Sequence, residues 1–100
     1  MSALDGLDPA LTAPKRLAAM ALLTRATAAD FAVLRDHLDV SESDLSKQMS
    51  ALVTAGYVTV RKNGRGRGSA TTYQATREGR KAYARHRAAL EAILEGTVTT

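Results

Sequence analysis

Residues 31–75 change hydrophobic period once, and that change constrains the fold more than any other feature of the chain. Phe31, Leu34 and Leu38 recur at i, i+3 and i+7, one face of a short helix over 31–38 that Asp30 is placed to cap. Only Asp39 and Val40 separate it from Ser41, a second capping residue, with Asp44 three positions on as an acidic variant of the capping box. A second stripe, Leu45, Met49, Leu52 and Val53, then runs toward Gly56, a residue suited to stop a helix. Beyond it, Tyr57-Val58-Thr59-Val60-Arg61-Lys62 is aromatic and β-branched, as a strand should be. A glycine-alternating turn, Asn63-Gly64-Arg65-Gly66-Arg67-Gly68, leads to a returning strand over 70–75 that contains Thr71, Thr72 and Tyr73. Two helices on a tight turn are therefore followed by a β-hairpin with a long basic tip.

The flanks read as helix. Leu4, Leu7 and Leu11 fall at helical spacing, with Pro9 suited to the first turn of a short helix. Pro14 can open the next one, over 15–25, with Leu17, Met20 and Leu23 turned inward, and 27–29 leaves room for one short strand. Thr76 caps a last helix running to about Glu95, roughly 28 Å at 1.5 Å per residue. Its apolar positions, Tyr83, His86, Leu90 and Ile93, are spaced 3, 4 and 3, a narrow seam of coiled-coil type, and the tail 96–100 is expected to fray. The fold class is mainly α with a small β-hairpin wing, that is, a winged helix-turn-helix plus a long C-terminal helix. One domain is expected over 1–100, with the helix-turn-helix at 31–55, the wing at 57–75 and a dimerisation helix at 77–95.

Several function classes drop out. With no cysteine there is no disulfide, cysteine zinc site or thiol nucleophile. No carboxylate pair and no Ser-His-Asp order is present, and Gly64–Gly68 lacks the Lys-Ser/Thr and helix start of a phosphate-binding loop. No enzyme activity, cofactor or metal is expected. Met1–Leu11 has no basic start with an apolar run behind it, and no stretch reaches the roughly 20 apolar residues of a membrane span. A cytoplasmic location without membrane contact is the expectation.

Charge is unevenly divided. Residues 1–50 hold five Lys/Arg against seven Asp/Glu, a net −2, and residues 51–100 hold nine against three, a net +6. That asymmetry points to a polyanionic partner or to a simple solubilising excess. The motifs separate the two. With Leu45, Met49, Leu52 and Val53 anchored inward, Ser43, Ser46, Lys47 and Ser50 face outward, short hydroxyls around one cation. An α-helix fits the DNA major groove, where such groups reach base edges and phosphates, although a Ser/Lys face is also what solvation alone would choose. Glu42 and Asp44 work against phosphate contact at the helix start. Arg61, Lys62, Arg65 and Arg67 crowd the wing with no acid among them, which favours an anion. Arginine is drawn to a narrow minor groove, and the alternating glycines let the tip lie flat against a backbone.

The segments LDVSESDLSKQMSALVTAGY (38–57), 58–67 and ATREGR (75–80) resemble the winged-helix transcriptional regulators of the MarR/ArsR superfamily, in particular a small single-domain subgroup ending in a long helix. The resemblance covers roughly 7–94. It is carried by Leu45, Ser46, Lys47, Leu52, Gly56, Tyr57 and Val58, and by Thr76, Gly79 and Arg80. It implies a homodimer on double-stranded DNA, major-groove contact from helix 41–55, minor-groove or phosphate contact from the wing, and a transcriptional role, usually repression. Metal sensing of the ArsR kind has no Cys/His cluster to support it, and no residue specifies a small-molecule effector.

The dimer interface is expected to join the seam Tyr83, His86, Leu90 and Ile93 to Leu4, Leu7 and Leu11. His86 reads either as a polar residue of that interface or as a pH-sensitive contact. Arg77, Arg80, Lys81, Arg85 and Arg87 either solvate the outer face of the last helix or reach DNA. A winged-helix module binding an acidic protein partner is the alternative to DNA regulation, and an RNA-binding accessory role is a third reading.

Overall fold

The computed structural model describes residues 3–63 and 70–96. After a 3-10 turn at Ala3–Gly6 come α1 (Pro9–Thr12), α2 (Pro14–Arg25), β1 (Ala29–Asp30), α3 (Phe31–Leu38), α4 (Glu42–Thr54), β2 (Val58–Asn63), β3 (Ala70–Ala75) and α5 (Arg77–Leu94). The strands form one antiparallel sheet in the order β1-β3-β2, with Val60 opposite Tyr73 and Ala29 on the other side of Tyr73.

Local chemistry sets the element ends. Ser41 Oγ accepts from the Asp44 N–H at 3.1 Å and starts α4. Thr76 Oγ1 accepts from the Gly79 N–H at 2.9 Å and starts α5. Asp39 turns the chain between α3 and α4 in the left-handed region, φ 54° and ψ 56°, where an aspartate is tolerated better than most residues. Gly56 ends α4 at φ +83°, where a side chain would be strained. Asp30 occupies the cap position of α3, but its side chain makes no cap bond; its Oδ1 accepts from the Thr72 hydroxyl at 3.1 Å and ties β1 to β3. The expected reach of Asp44 back toward Ser41 is also absent, because Lys15 and Gln48 hold its carboxylate.

The core gathers Leu11, Met20 and Leu23 from the N-terminal helices, Leu34 from α3, Leu45, Met49 and Leu52 from α4, and Val58 and Tyr73 from the sheet. Phe31 packs on Tyr73, ring centroids 6.5 Å apart. Two stripes differ from expectation. Val53 is 37% exposed, on the flank of α4, and Leu17 is half-buried while Ala19 is fully buried. In α5 the fully buried line is Gly79, Ala82 and His86, with Tyr83, Leu90 and Ile93 half-buried beside it. Gly79 is small because the backbone approaches closely there: a Cβ built on it would lie 2.2 Å from the Tyr57 carbonyl oxygen. The Leu4/Leu7/Leu11 segment is likewise two pieces, the 3-10 turn and α1, not one helix.

Candidate nucleic-acid interface

Burial of Leu45, Met49 and Leu52, each at 0–1% exposure, fixes which side of α4 is free. Ser43, Ser46, Lys47 and Ser50 are all exposed on the other side, joined at the C-terminal end by Thr54 and the flanking Val53. Ser43 to Ser50 spans roughly 10 Å of helix axis, comparable with a major groove about 12 Å wide. Neither Val53 nor Thr54 stood out in the sequence, since Val53 matches the apolar stripe and a single threonine carries no signal.

The two acids at the start of α4 are both paired. Arg35 Nη1 donates to Glu42 Oε1 at 2.7 Å, across the tight turn. Lys15 Nζ, from α2, pairs with Asp44 Oδ2, and Gln48 Nε2 donates to Asp44 Oδ1 at 3.1 Å. The Lys15 contact, then the Gln48 bond, hold the Asp44 carboxyl below its ordinary value. Negative charge that would oppose a phosphate is thus partly offset, and Lys47 makes no ion pair among the described residues. Nothing local marks Lys15 or Arg35 for this role; their partners are 29 and 7 residues away.

Arg61 and Lys62 are exposed near the end of β2. As neighbours on a strand they point to opposite faces. Lys62 shares the face of Val58 and Val60, whereas Arg61 shares that of Thr59 and, across the register, Thr72. These two cations therefore flank the wing instead of adding up on one side. Arg65 and Arg67, with the glycines around them, lie outside the described residues.

The second motif is architectural throughout. The Thr76 hydroxyl, besides capping α5, donates to the Gly56 carbonyl at 2.7 Å. Gly79 lies so close to the α4–β2 junction that a Cβ there would be 2.2 Å from the Tyr57 carbonyl oxygen. Arg80 donates to the carbonyls of Thr24 at 3.0 Å and Ala26 at 3.5 Å, closing the C-terminal end of α2. Among the other α5 cations, Arg87 pairs with Glu91 at 2.9 Å, while Arg77, Lys81 and Arg85 are exposed.

The expected dimer residues divide. Leu4 is 61% exposed, and Leu7, Tyr83, Leu90 and Ile93 are half-buried. Leu11 at 0% and His86 at 1% exposure are taken up inside the chain and offer no surface to a second copy. His86 Nδ1 instead accepts from the Asp8 backbone N–H at 2.9 Å. Pro14, Leu17, Ala18, Ala21, Tyr83 and Leu90 line an apolar groove between α2 and α5. Among the described residues no cluster of His, Asp or Glu could hold a metal ion, and no helix is long and apolar enough to cross a membrane.

Comparison with known proteins adds to this geometry. The fold is shared with the transcriptional regulator homologue protein from Pyrococcus horikoshii OT3, at TM-score 0.80 and 24% identity over 90% of this chain and 89% of that one. Rv0081 of Mycobacterium tuberculosis is similar at TM-score 0.73 and 26% identity, covering 90% and 87%. The M. tuberculosis transcriptional regulator MOSR, solved in complex with DNA, superposes at TM-score 0.70 with 16% identity, covering 96% and 71%. A search of curated proteins finds no significant relative. The family model described as "Winged helix DNA-binding domain" matches residues 15–94. Helix, tight turn, helix and hairpin thus stand in the arrangement that this model spans over most of the sequence, and the chain belongs to the winged helix DNA-binding domain family.

Proposed function

We propose that this protein is a dimeric, sequence-specific binder of double-stranded DNA that represses transcription. The observation that carries the reading is the free face of α4: four exposed polar side chains, one of them Lys47, which makes no ion pair among the described residues, on a helix whose two nearby acids are occupied by Arg35 and Lys15. In the major groove the serines and Lys47 meet base edges and phosphates, and the wing cations Arg61, Lys62, Arg65 and Arg67 hold the backbone. Base reading therefore belongs to α4 and affinity mostly to the wing. The neighbouring fold solved on DNA supports a duplex as the partner.

Two copies related by a twofold axis would present their α4 helices about one DNA turn apart, roughly 34 Å. The dimerisation helix, over 77–95, offers half-buried Leu90 and Ile93 and the 83% exposed Leu94, with Leu4 and Leu7 beside it. The repressor sense rests on the family resemblance: a dimer seated on a promoter excludes polymerase. No catalytic step and no cofactor belongs to this reading.

Duplexes selected from a random library by the full chain, followed by gel shift across salt concentrations, test it. Lys47→Ala lowers affinity for the selected sequence, while Arg65→Ala with Arg67→Ala weakens all duplexes and flattens the salt slope by about two. If no sequence is enriched, or neither variant changes duplex affinity, the reading fails. A chain that ignores duplexes but retains an acidic protein partner would instead be an interaction module.

A further inference from the structure

Besides the Thr76 bonds to Gly56 and Tyr57 at the start of α5, a short N-terminal segment ties the end of α4 to the middle of α5, and Asp8 makes most of its connections. Asp8 uses every polar atom it has. Its backbone N–H donates to His86 Nδ1 of α5 at 2.9 Å. Its Oδ2 accepts from the Tyr57 hydroxyl at 2.5 Å, and its Oδ1 accepts from the Ala10 N–H at 2.9 Å. Its carbonyl accepts from the Thr12 hydroxyl and the Leu11 N–H, each at 2.9 Å. Tyr57 in turn is bound to the end of α4, its N–H donating to the Leu52 carbonyl at 3.0 Å. A second line reaches the middle of the same helix. Arg16 Nε donates to the Ala10 carbonyl at 2.6 Å, and its Nη1 donates to Gln48 Oε1 at 2.9 Å.

These bonds add direction to the core contacts of α4. Burial of Leu45, Met49 and Leu52 selects which face of α4 is inward, and because the hydrophobic effect itself is non-directional, directional bonds at the helix end add to the definition of its angle. Hydrogen bonds are directional, and a buried polar group left unbonded is costly. His86 is 1% exposed, and its Nδ1 is satisfied by Asp8. We infer that Asp8 is a positioning residue for DNA reading: through Tyr57 and His86 it fixes α4 against α5, and so sets where the serine and lysine face of α4 lies in the groove. Resting on the DNA-binding reading above, the assignment goes beyond it by giving a specificity role to a residue that touches no DNA. In a dimer built on α5, the same bonds fix the separation of the two reading helices.

The test compares operator affinity with random-duplex affinity, using the full chain and duplexes selected by the wild type, at a temperature where circular dichroism shows every variant folded. Tyr57→Phe removes one hydroxyl and no volume. It lowers operator affinity about five- to tenfold, the size of one hydrogen bond, and leaves random-duplex affinity and the salt slope unchanged. Asp8→Ala has at least that effect. Asp8→Asn, whose amide can still meet both Tyr57 and Ala10, restores the wild-type ratio. If Asp8→Ala fails to fold, the isosteric Tyr57→Phe decides. A wild-type ratio in Tyr57→Phe overturns the assignment, as does an equal fall in operator and random affinity. Failure of the wild type to enrich any sequence overturns the DNA reading itself, a different result, and the assignment falls with it.

Discussion

Replacing Gly79 by alanine should reverse the usual sign of that substitution in a helix. In a helix interior Gly→Ala gains up to about 1 kcal/mol, because alanine loses less backbone entropy. At Gly79 the added Cβ would sit 2.2 Å from the Tyr57 carbonyl oxygen and 2.9 Å from its carbon, where 3.4 Å is the ordinary lower limit of contact. The obstacle is backbone, so α5 must retreat by about an ångström. That retreat stretches two bonds that seat its first turn, Thr76 N–H to the Tyr57 carbonyl at 2.9 Å and the Thr76 hydroxyl to the Gly56 carbonyl at 2.7 Å, past hydrogen-bonding distance. Two such bonds contribute about 2 kcal/mol, and overpacking costs about 1–3 kcal/mol more. Subtracting the propensity gain leaves a net loss of about 2–4 kcal/mol, or ~10–25 °C in Tm for a domain of this size. Thermal and urea denaturation followed at 222 nm measure it. Ala84→Gly, at an exposed position of α5, is the control and should cost about 1 kcal/mol by propensity alone. A Gly79→Ala protein as stable as the wild type, or more so, would refute the seating of α5 on the Tyr57 carbonyl.

Other perturbations separate frame from interface. Arg80→Ala removes the two guanidinium bonds to the end of α2 and should lower stability by about 1 kcal/mol, while gel shifts show duplex affinity and salt slope unchanged. The Asp8 hydrogen bond, then burial, raise the Tyr57 phenol above its ordinary 10.0. A group raised on folding contributes fully below its unfolded value and loses that contribution as pH rises through the folded one. Denaturation midpoints should therefore fall above about pH 10, and more gently in Tyr57→Phe. Burial raises Tyr73 in the same direction, so the limb does not vanish in that variant. Lys15→Ala should move the Asp44 carboxyl back up toward 3.8, visible in an NMR titration, and weaken binding to every duplex a few-fold by freeing a negative charge at the start of α4. Asp44, lowered on folding, contributes above its unfolded value and loses that contribution as pH falls; the exposed pair adds at most a small part of total stability.

The sequence revealed what local physics decides. Ser41 and Thr76 cap helices because a hydroxyl meets an N–H three residues on, and Gly56 ends α4 because only glycine takes φ +83° without strain. The switch of period after Gly56 marks the wing for the same reason. Long-range partners are another matter. Asp30 and Asp44 were expected to serve their own helix starts, yet the structure gives the first to Thr72, 42 residues on, and the second to Lys15, 29 residues back. The α5 seam shows the limit most clearly. Weighting large apolar side chains selects Tyr83, Leu90 and Ile93, but the closest packing falls on Gly79 and Ala82, since only small residues let the Tyr57 backbone come so near. A seam defined by the absence of side chains leaves no hydrophobic signal to count. The face of α4 was legible in Ser43, Ser46, Lys47 and Ser50; the pairing that offsets its acids was not.

The two motifs that drew attention to this chain divide unevenly between frame and interface. Thr76, Gly79 and Arg80 each hold one element on another. In the longer run, Leu45, Leu52 and Val58 are core, Gly56 is a turn, and Tyr57 grips Asp8. Only Ser46 and Lys47 of those ten positions face outward with nothing to support. A recognisable signature in such a fold is therefore mostly a record of how α4, the wing and α5 are fitted together. The proposed contacts to a partner fall on the positions between: the exposed Ser43, Ser50, Thr54 and Val53 of α4, and the wing cations. Ser50 and Thr54 can be exchanged at little cost to the frame, because surface residues free of capping and core contacts rarely move stability beyond about 0.5 kcal/mol. In the proposed reading, the sequence bound depends on side chains the frame does not use, held at an angle that Asp8 sets through Tyr57 and His86.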